Sequence, residues 1–429
     1  MTRTQIDIAR SGGVSEEVKK VAMLEGVPED WLAQRVARGT VVILKGSTRN
    51  PKPVAVGEGL KVKVNVNVGT SQDLCDPKME LEKAKLSVKY GADTVMDLST
   101  SEPIAAVRRL LLNELEVPVG TVPIYEAAIK AVGRGGAVVD MSMDDMFNAI
   151  EEHAKDGVGF MTIHAGVTKH VVEGLKEHPR LTGIVSRGGA FLAAWILHNG
   201  QENPLYANFD YLLEMAREYD FAISLGDGLR PGCQADAQDW AQMSELLVIA
   251  SLVKKARRAG VQTIVEGPGH MPLDQIEPNV KVSKQLTGNA PLYTLGPLVT
   301  DVAPGYDHIA LAIGGAVAAA AGVDFLCAVY RSEHLSLPLP EDVKDSVIAA
   351  RMAAHAADIV RIGDRALKWD YEISKARAKL DWRSQFKLAM DPEEAERIHN
   401  RVPSRSGACS VCGKYCVFLV LSRYLSSKG

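Results

Sequence analysis

The sequence predicts an α/β protein: a (β/α)₈ TIM barrel with an N-terminal cap and a C-terminal helical region that ends in a cysteine-bearing tail. Three observations lead there. Short runs rich in β-branched residues alternate with longer helical patterns from residue 62 onward, the signature of a parallel sheet with crossover helices. Most of these runs are closed within two residues by a glycine, among them Gly69, Gly166, Gly188, Gly226, Gly267 and Gly296. Strands whose C-terminal ends carry active-site loops end in this way. No Gly-x-Gly-x-x-Gly opens the first βα unit, which disfavours a doubly wound open sheet.

The elements follow in order. Residues 1–60 read as a cap, with helical patterns separated by basic, glycine- and proline-containing stretches such as Leu44-Lys-Gly-Ser-Thr-Arg-Asn-Pro51. Residues 61–340 hold the barrel. Its strand candidates are 64–68, 95–98, 117–120, 160–164, 183–187, 222–225, 263–266, 292–295 and 325–329, nine where a barrel needs eight, so one is extra. Residues 341–400 turn helical and charged, with apolar positions at helical spacing. A loop rich in Ser, Arg and Pro then resembles a flexible tether and leads into a tail, residues 401–429, containing Cys409-Ser-Val-Cys412-Gly-Lys-Tyr-Cys416.

A hydrophobic content of 46%, a charged content of 24% and a net charge of -4 describe a globular protein without the basic field that nucleic acid requires. No run approaches the length of a membrane span and the first residues lack a signal-peptide core, so a cytoplasmic location is expected, with neither membrane nor nucleic acid as partner. Six cysteines in 429 residues are not a disulfide framework. Three within eight positions are a soft-metal motif: an iron-sulfur cluster held by three thiolates keeps one iron open, whereas a zinc knuckle would need a fourth ligand.

Other residues with chemical character fall at strand ends. Ser186-Arg-Gly-Gly189 and Asp227-Gly-Leu-Arg-Pro-Gly232 each combine an arginine with glycines that let backbone N–H groups approach an anion, so a phosphorylated small molecule is the expected ligand. Glu266-Gly-Pro-Gly-His270 and Glu333-His334 put a carboxylate and an imidazole on neighbouring barrel mouths, where His270 and His334 could share zinc or iron and Glu266 could accept a proton. His164, His308, Tyr125, Tyr293, Met96 and Asn67 lie at or near other strand ends, where core packing is the alternative role.

Taken together, Asn67-Val-Gly-Thr-Ser71, Val122-Pro-Ile-Tyr125, Phe160-Met-Thr-Ile-His-Ala-Gly166, the two arginine motifs, Glu266-Gly-Pro-Gly-His270, Ala303-Pro-Gly-Tyr-Asp-His-Ile309 and the terminal cysteines resemble the ThiC family of radical S-adenosylmethionine (SAM) enzymes over nearly the whole chain. The resemblance implies a homodimeric barrel, and a 4Fe-4S cluster on Cys409, Cys412 and Cys416 whose open iron takes SAM. It also implies a deoxyadenosyl radical acting on 5-aminoimidazole ribotide (AIR), and an electron donor such as flavodoxin or ferredoxin. Carried over residue by residue, it assigns substrate binding to Asn67, Met96, Tyr125, His164, Ser186, Arg187, Gly188, the run Asp227, Gly228, Leu229 and Arg230, and Glu266 and Tyr293. Glu266 and the three cysteines are the implied catalytic groups, and His270 and His334 hold a second metal, Zn²⁺ or Fe²⁺.

Two segments depart from the thiamine-pathway pattern. Cys327-Ala-Val-Tyr-Arg-Ser-Glu-His-Leu335 stands where Cys-Tyr-Val-Thr-Pro-x-Glu-His-Leu is usual, and Leu98-Ser-Thr-Ser-Glu-Pro103 where a Gly-Gly-Asp turn is usual. Because both border the presumed site, the expected product is 5-hydroxybenzimidazole, for the cobalamin lower ligand, as in the BzaF-like branch. The alternative is 4-amino-5-hydroxymethyl-2-methylpyrimidine phosphate, for thiamine. A reading from another class is a non-enzymatic zinc-knuckle protein that binds a metabolite.

Overall fold

A computed structural model describes residues 3–45 and 51–425. The central five residues of the basic stretch in the cap, and the last four of the tail, lie outside the described residues. The chain divides into two compact units, 1–358 and 359–429.

In the first unit, β1 (Val41–Leu44) and β2 (Val54–Gly57) form an antiparallel pair. Eight parallel strands close a barrel: β3 (Lys63–Val68), β4 (Thr94–Asp97), β5 (Val119–Thr121), β6 (Phe160–Ile163), β7 (Ala222–Leu225), β8 (Thr263–Gly267), β9 (Leu292–Leu295) and β10 (Phe325–Cys327), with β10 pairing back to β3. The (β/α)₈ expectation holds. The ninth candidate, residues 183–187, is not a strand: β6 pairs directly with β7, and Ser186 caps the helix Arg187–Asn199 instead, accepting the Gly189 N–H at 3.2 Å. Isolated β-branched runs are ambiguous where a turn and a cap follow.

Alternation along the strands sorts side chains into two sets. Val64, Val66 and Val68 of β3 pack in the hydrophobic core, while Asn65 joins a polar set running across the barrel. Its amide donates to the Tyr293 hydroxyl at 2.8 Å and to Asn67 Oδ1 at 2.9 Å, and its carbonyl accepts from Thr94 at 2.8 Å. Beside this layer Phe325 meets Phe160 edge to face, with centroids 6.1 Å apart, and Tyr293 in a tilted contact at 4.4 Å. The interior is thus a packed core and not a channel.

The cap buries its own cluster, including Ile6, Leu32, Val36 and Ile43, and seats on the N-terminal end of β8. There Gln262 both accepts from the Ile43 N–H at 2.6 Å and donates to its carbonyl. That leaves the opposite, C-terminal face open. At this face a buried ion pair, Lys83 with Glu80 at 2.8 Å, ties two loops: Glu80 accepts the Gly69 N–H and Lys83 donates to the Pro338 carbonyl. Both side chains are almost fully buried, so removing either would leave an uncompensated charge, a cost of about 3–5 kcal/mol.

In the unit 359–429, helices Asp364–Ala378, Trp382–Leu388 and Pro392–His399 precede the cysteine loop. The Trp382 indole stacks on His399 at 4.1 Å and donates to the Gly407 carbonyl at 2.8 Å, which anchors the end of the Ser- and Arg-rich loop. Among the described residues no helix is long and apolar enough to cross a membrane.

Candidate active site

The C-terminal ends of the strands surround a cavity enclosing about 560 Å³ of empty space, its solvent mouth included. Asn67, Met96, Tyr125 and His164 line one side, and Asp227, Arg230, Glu266 and Tyr293 line the other. Size and position match a small-molecule site. An adjoining space shares Asn67, Leu98 and Glu333 with it and reaches Arg187 and Tyr330.

Glu266 is the penultimate residue of β8 and is held from the two preceding strands, β6 and β7. Its Oε1 accepts hydroxyl hydrogen bonds from Thr162 and Ser224, each at 2.7 Å. Burial pushes the Glu266 carboxyl above its usual range, against the lowering effect of those hydroxyls and of Arg230. Burial also raises the Asp227 carboxyl well above its usual range, although Arg230 Nη1 donates to Asp227 Oδ1 at 3.2 Å. The pair therefore presents one permanent cation beside carboxyl groups that retain protons readily.

His164 follows β6 and is 2% exposed. Burial, then the nearby Arg230 charge, push its imidazole down to about 3, so the ring is neutral. Its Nε2 lies 3.3 Å from the Ser186 hydroxyl. Gly188 and Gly189 are needed for this approach: a Cβ on Gly188 would stand 2.3 Å from the His164 ring, and one on Gly189 would stand 2.1 Å from the Gly228 carbonyl. The start of the helix Arg187–Asn199 thus packs directly against the Asp227 loop and brings its N-terminal N–H groups to the mouth. Exposed Arg187 lies over Tyr125, with its guanidinium carbon 5.1 Å from the ring centroid. Tyr125 and Tyr293 are both buried, which raises their phenol groups above the usual range.

The remaining assigned residues lie around this cavity and do not line it. Leu229 packs its side chain against Val171 and Ala241; its N–H donates to Glu245 and its carbonyl accepts from Arg180. Gly228 supplies the close contact with Gly189. Thr162, Ser224 and Asn65 were missed by sequence reasoning: Thr162 lines the cavity itself, while Ser224 and Asn65 lie behind the lining, and the part each plays emerges only when strand register sets them beside Glu266 and Tyr293.

His270 and His334 come together from separate loops, with Nε2 atoms 3.3 Å apart. Each second nitrogen meets a carboxylate: His270 Nδ1 is 2.8 Å from Asp301, and His334 Nδ1 is 3.0 Å from Asp307. The two aspartates were also missed. His308 does not join the pair.

In the other unit, Cys409 is half-buried, Cys412 exposed and Cys416 buried. The N–H groups of Cys412 and Val411 hold the Cys409 thiol below its usual range. Amide groups aimed at sulfur favour thiolate, and three closely spaced thiols in a turn are the donor set an iron-sulfur cluster requires. Among the described residues no three His, Cys, Asp or Glu side chains converge in the geometry that holds a single metal ion.

Residues 4–423 match the model of the radical SAM ThiC family. A phosphomethylpyrimidine synthase of Pyrococcus furiosus is 53% identical over 426 residues, covering 99% of each chain. Synthases of the same name from Desulforamulus reducens and Geobacter metallireducens are 51% and 50% identical over 427 and 424 residues. They cover 99% and 98% of this chain, and 99% and 97% of their own.

These relatives overturn the expectation of a 5-hydroxybenzimidazole product, and the geometry explains why the departures misled. Tyr330 is 2% exposed and donates its hydroxyl to the Asn67 carbonyl at 2.8 Å, while Ala328 is buried and Arg331 faces outward. The second departure is tied to the loop after β3, where Thr70 N–H donates to Ser99 Oγ at 3.1 Å and Thr100 N–H donates to the Thr70 carbonyl. Both segments brace the wall.

Proposed function

The chain belongs to the radical SAM ThiC family, and on that premise we propose that it converts AIR to 4-amino-5-hydroxymethyl-2-methylpyrimidine phosphate for thiamine synthesis. The observation that carries the reading is the convergence of Asn67, Met96, Tyr125, His164, Asp227, Arg230, Glu266 and Tyr293 on one cavity. Their chemistry suits a ribotide: a cation with carboxyl partners, a neutral imidazole, and phenol and hydroxyl donors.

In this reading the helix N-terminus at Ser186, with Arg187, receives the phosphate. Glu266, fixed by Thr162 and Ser224, accepts hydrogen bonds from the aminoimidazole and is the group placed to take a proton from it. Neutral His164 orients the sugar as a hydrogen-bond partner without adding charge. Cys409, Cys412 and Cys416 would hold the 4Fe-4S cluster, which with SAM supplies a deoxyadenosyl radical. The barrel's part is to hold the ribotide in one orientation and to exclude water around it. His270 and His334 would hold a second metal, zinc or iron. A homodimer and a flavodoxin- or ferredoxin-type electron donor complete the proposal.

The test is an anaerobic reaction of cluster-reconstituted protein with AIR, SAM and a strong reductant, products being identified by mass spectrometry. The pyrimidine phosphate is expected. A different product from AIR overturns the assignment, and a colourless, zinc-loaded protein that never cleaves SAM would establish the zinc-knuckle alternative.

A further inference from the structure

Beside the Asp227–Arg230 loop lies a second, smaller space that shares Asp227, Arg230, Glu266 and Gly267 with the substrate cavity. It is bounded by that loop and by the helices Trp240–Ala259 and Leu273–Leu286, which contribute Glu245 and Asn279. It leaves about 20 Å³ for the centre of a water-sized sphere. One water needs roughly 10–15 Å³ by that measure.

The walls carry an uncommon set of orphaned polar atoms. Asp227 Oδ2 and both the nitrogen and the oxygen of the Asn279 amide are buried without a hydrogen-bond partner, and Glu245 Oε1 has none beyond the Gly228 backbone close beside it. Glu245, Asp227 and Asn279 are 2%, 7% and 1% exposed. A single unsatisfied buried polar group costs about 1–3 kcal/mol, and three side chains that bound one small space and carry such atoms call for a shared partner. An apolar cavity stays empty, whereas a polar one with two to four partners takes solvent.

We propose that this space holds one ordered water linking Glu245 Oε1 and the Asn279 amide to the buried oxygen of Asp227, and that Glu245 and Asn279 are positioning residues for the substrate-facing side of Asp227. The water offers two donors and two acceptors, enough for the two carboxyl groups and one end of the amide. Glu245 is suited to the role because its other oxygen, Oε2, already accepts the Leu229 N–H at 2.7 Å and so grips the same loop. Asp227 is then braced on both sides, by Arg230 in front at 3.2 Å and by the water behind. The positioning role rests on the reading of Asp227 as a substrate contact; the water does not.

The experiment is a high-resolution crystal structure of the full chain, with kinetics of two variants. Density about 3 Å from Glu245, Asp227 and Asn279 is expected. An empty space, or an ion revealed by the anomalous signal of a rubidium soak, overturns the proposal whatever the enzyme makes. Asn279→Leu fills the space: it should expel the water and raise KM for AIR about tenfold, the scale of one lost hydrogen bond, with kcat within about twofold. Asn279→Ala, which keeps the room, should retain the water and serves if the leucine does not fold. Glu245→Gln, which preserves shape and neutral hydrogen bonding, should restore near-normal KM relative to Glu245→Ala. Water present but KM unchanged in Asn279→Leu and Glu245→Ala would overturn the positioning role alone. Failure to form the pyrimidine product would count against the substrate reading and leave the density result standing.

Discussion

His270 Nε2 and His334 Nε2 are 3.3 Å apart, the separation that two imidazoles about 2.05 Å from one ion adopt at a tetrahedral angle. Neither nitrogen gains from meeting the other directly unless one carries a proton, and each ring is turned by a carboxylate on its far side, Asp301 or Asp307. A ligating histidine is held in this way when its second nitrogen must stay a donor. Asp301→Asn should therefore weaken zinc binding at this site by about 10–100-fold, read by competition with a chromogenic chelator in protein whose three tail cysteines are alanine. Unaltered affinity would remove the aspartate from the site.

The three cysteines make a separable prediction, because the barrel and the tail belong to different compact units. Alanine at Cys409, Cys412 or Cys416 should abolish the visible absorbance of the reconstituted cluster and SAM cleavage, while AIR binding by calorimetry stays within about threefold, below 1 kcal/mol. Loss of AIR binding in all three variants would mean that the tail builds the substrate site itself.

How much of this was legible beforehand depends on whether a feature is local in sequence. The barrel was readable from alternation and glycine-closed runs, and only residues 183–187 were misread, because a β-branched pair before a helix cap looks like a strand until pairing is known. His270 and His334 were visible as strand-end histidines, but their partners Asp301 and Asp307 lie 31 and 27 residues away with no periodicity linking them. Glu245 and Asn279 belong to none of the strand-end motifs, and their burial against the Asp227 loop appears only in three dimensions. Tyr330 looked like a residue for steering product because it stands beside His334, whereas its hydroxyl is committed to the Asn67 carbonyl.

Two buried groups give opposing pH dependence. Burial raises the Glu245 carboxyl from 4.5 to about 8, opposed by the Leu229 and Gly228 N–H groups, Arg180 and Arg230. The folded chain therefore binds more protons than the unfolded one between those values, and this contribution to stability is lost as pH rises through that window. His164 is lowered from 6.5 to about 3, so its folded form binds fewer protons and its contribution is lost as pH falls from 6.5 toward 3. The effects oppose each other between 4.5 and 6.5, leaving Glu245 to act alone of the two from 6.5 to 8. Asp227 and Glu266, also raised by burial, face the same region, so the comparison must be between variants. Tm measured anaerobically at pH 6, 7 and 8 should fall more steeply for the parent chain than for Glu245→Gln. Parallel curves would show that Glu245 ionises normally.

Tyr330→Phe tests whether the departures near His334 brace the wall or steer the chemistry. The substitution removes only the hydroxyl that donates to the Asn67 carbonyl at 2.8 Å and leaves the buried ring in place. Losing one such bond costs about 1 kcal/mol of stability, a small fall in Tm. Asn67 is held independently through its side chain by Asn65, at 2.9 Å, so the strand end should keep its register and the product should not change. Mass spectrometry of the anaerobic reaction would show the same single product from parent and variant. A new product from Tyr330→Phe would mean that the hydroxyl reaches the reacting molecule, and that the wall at Asn67 yields during turnover.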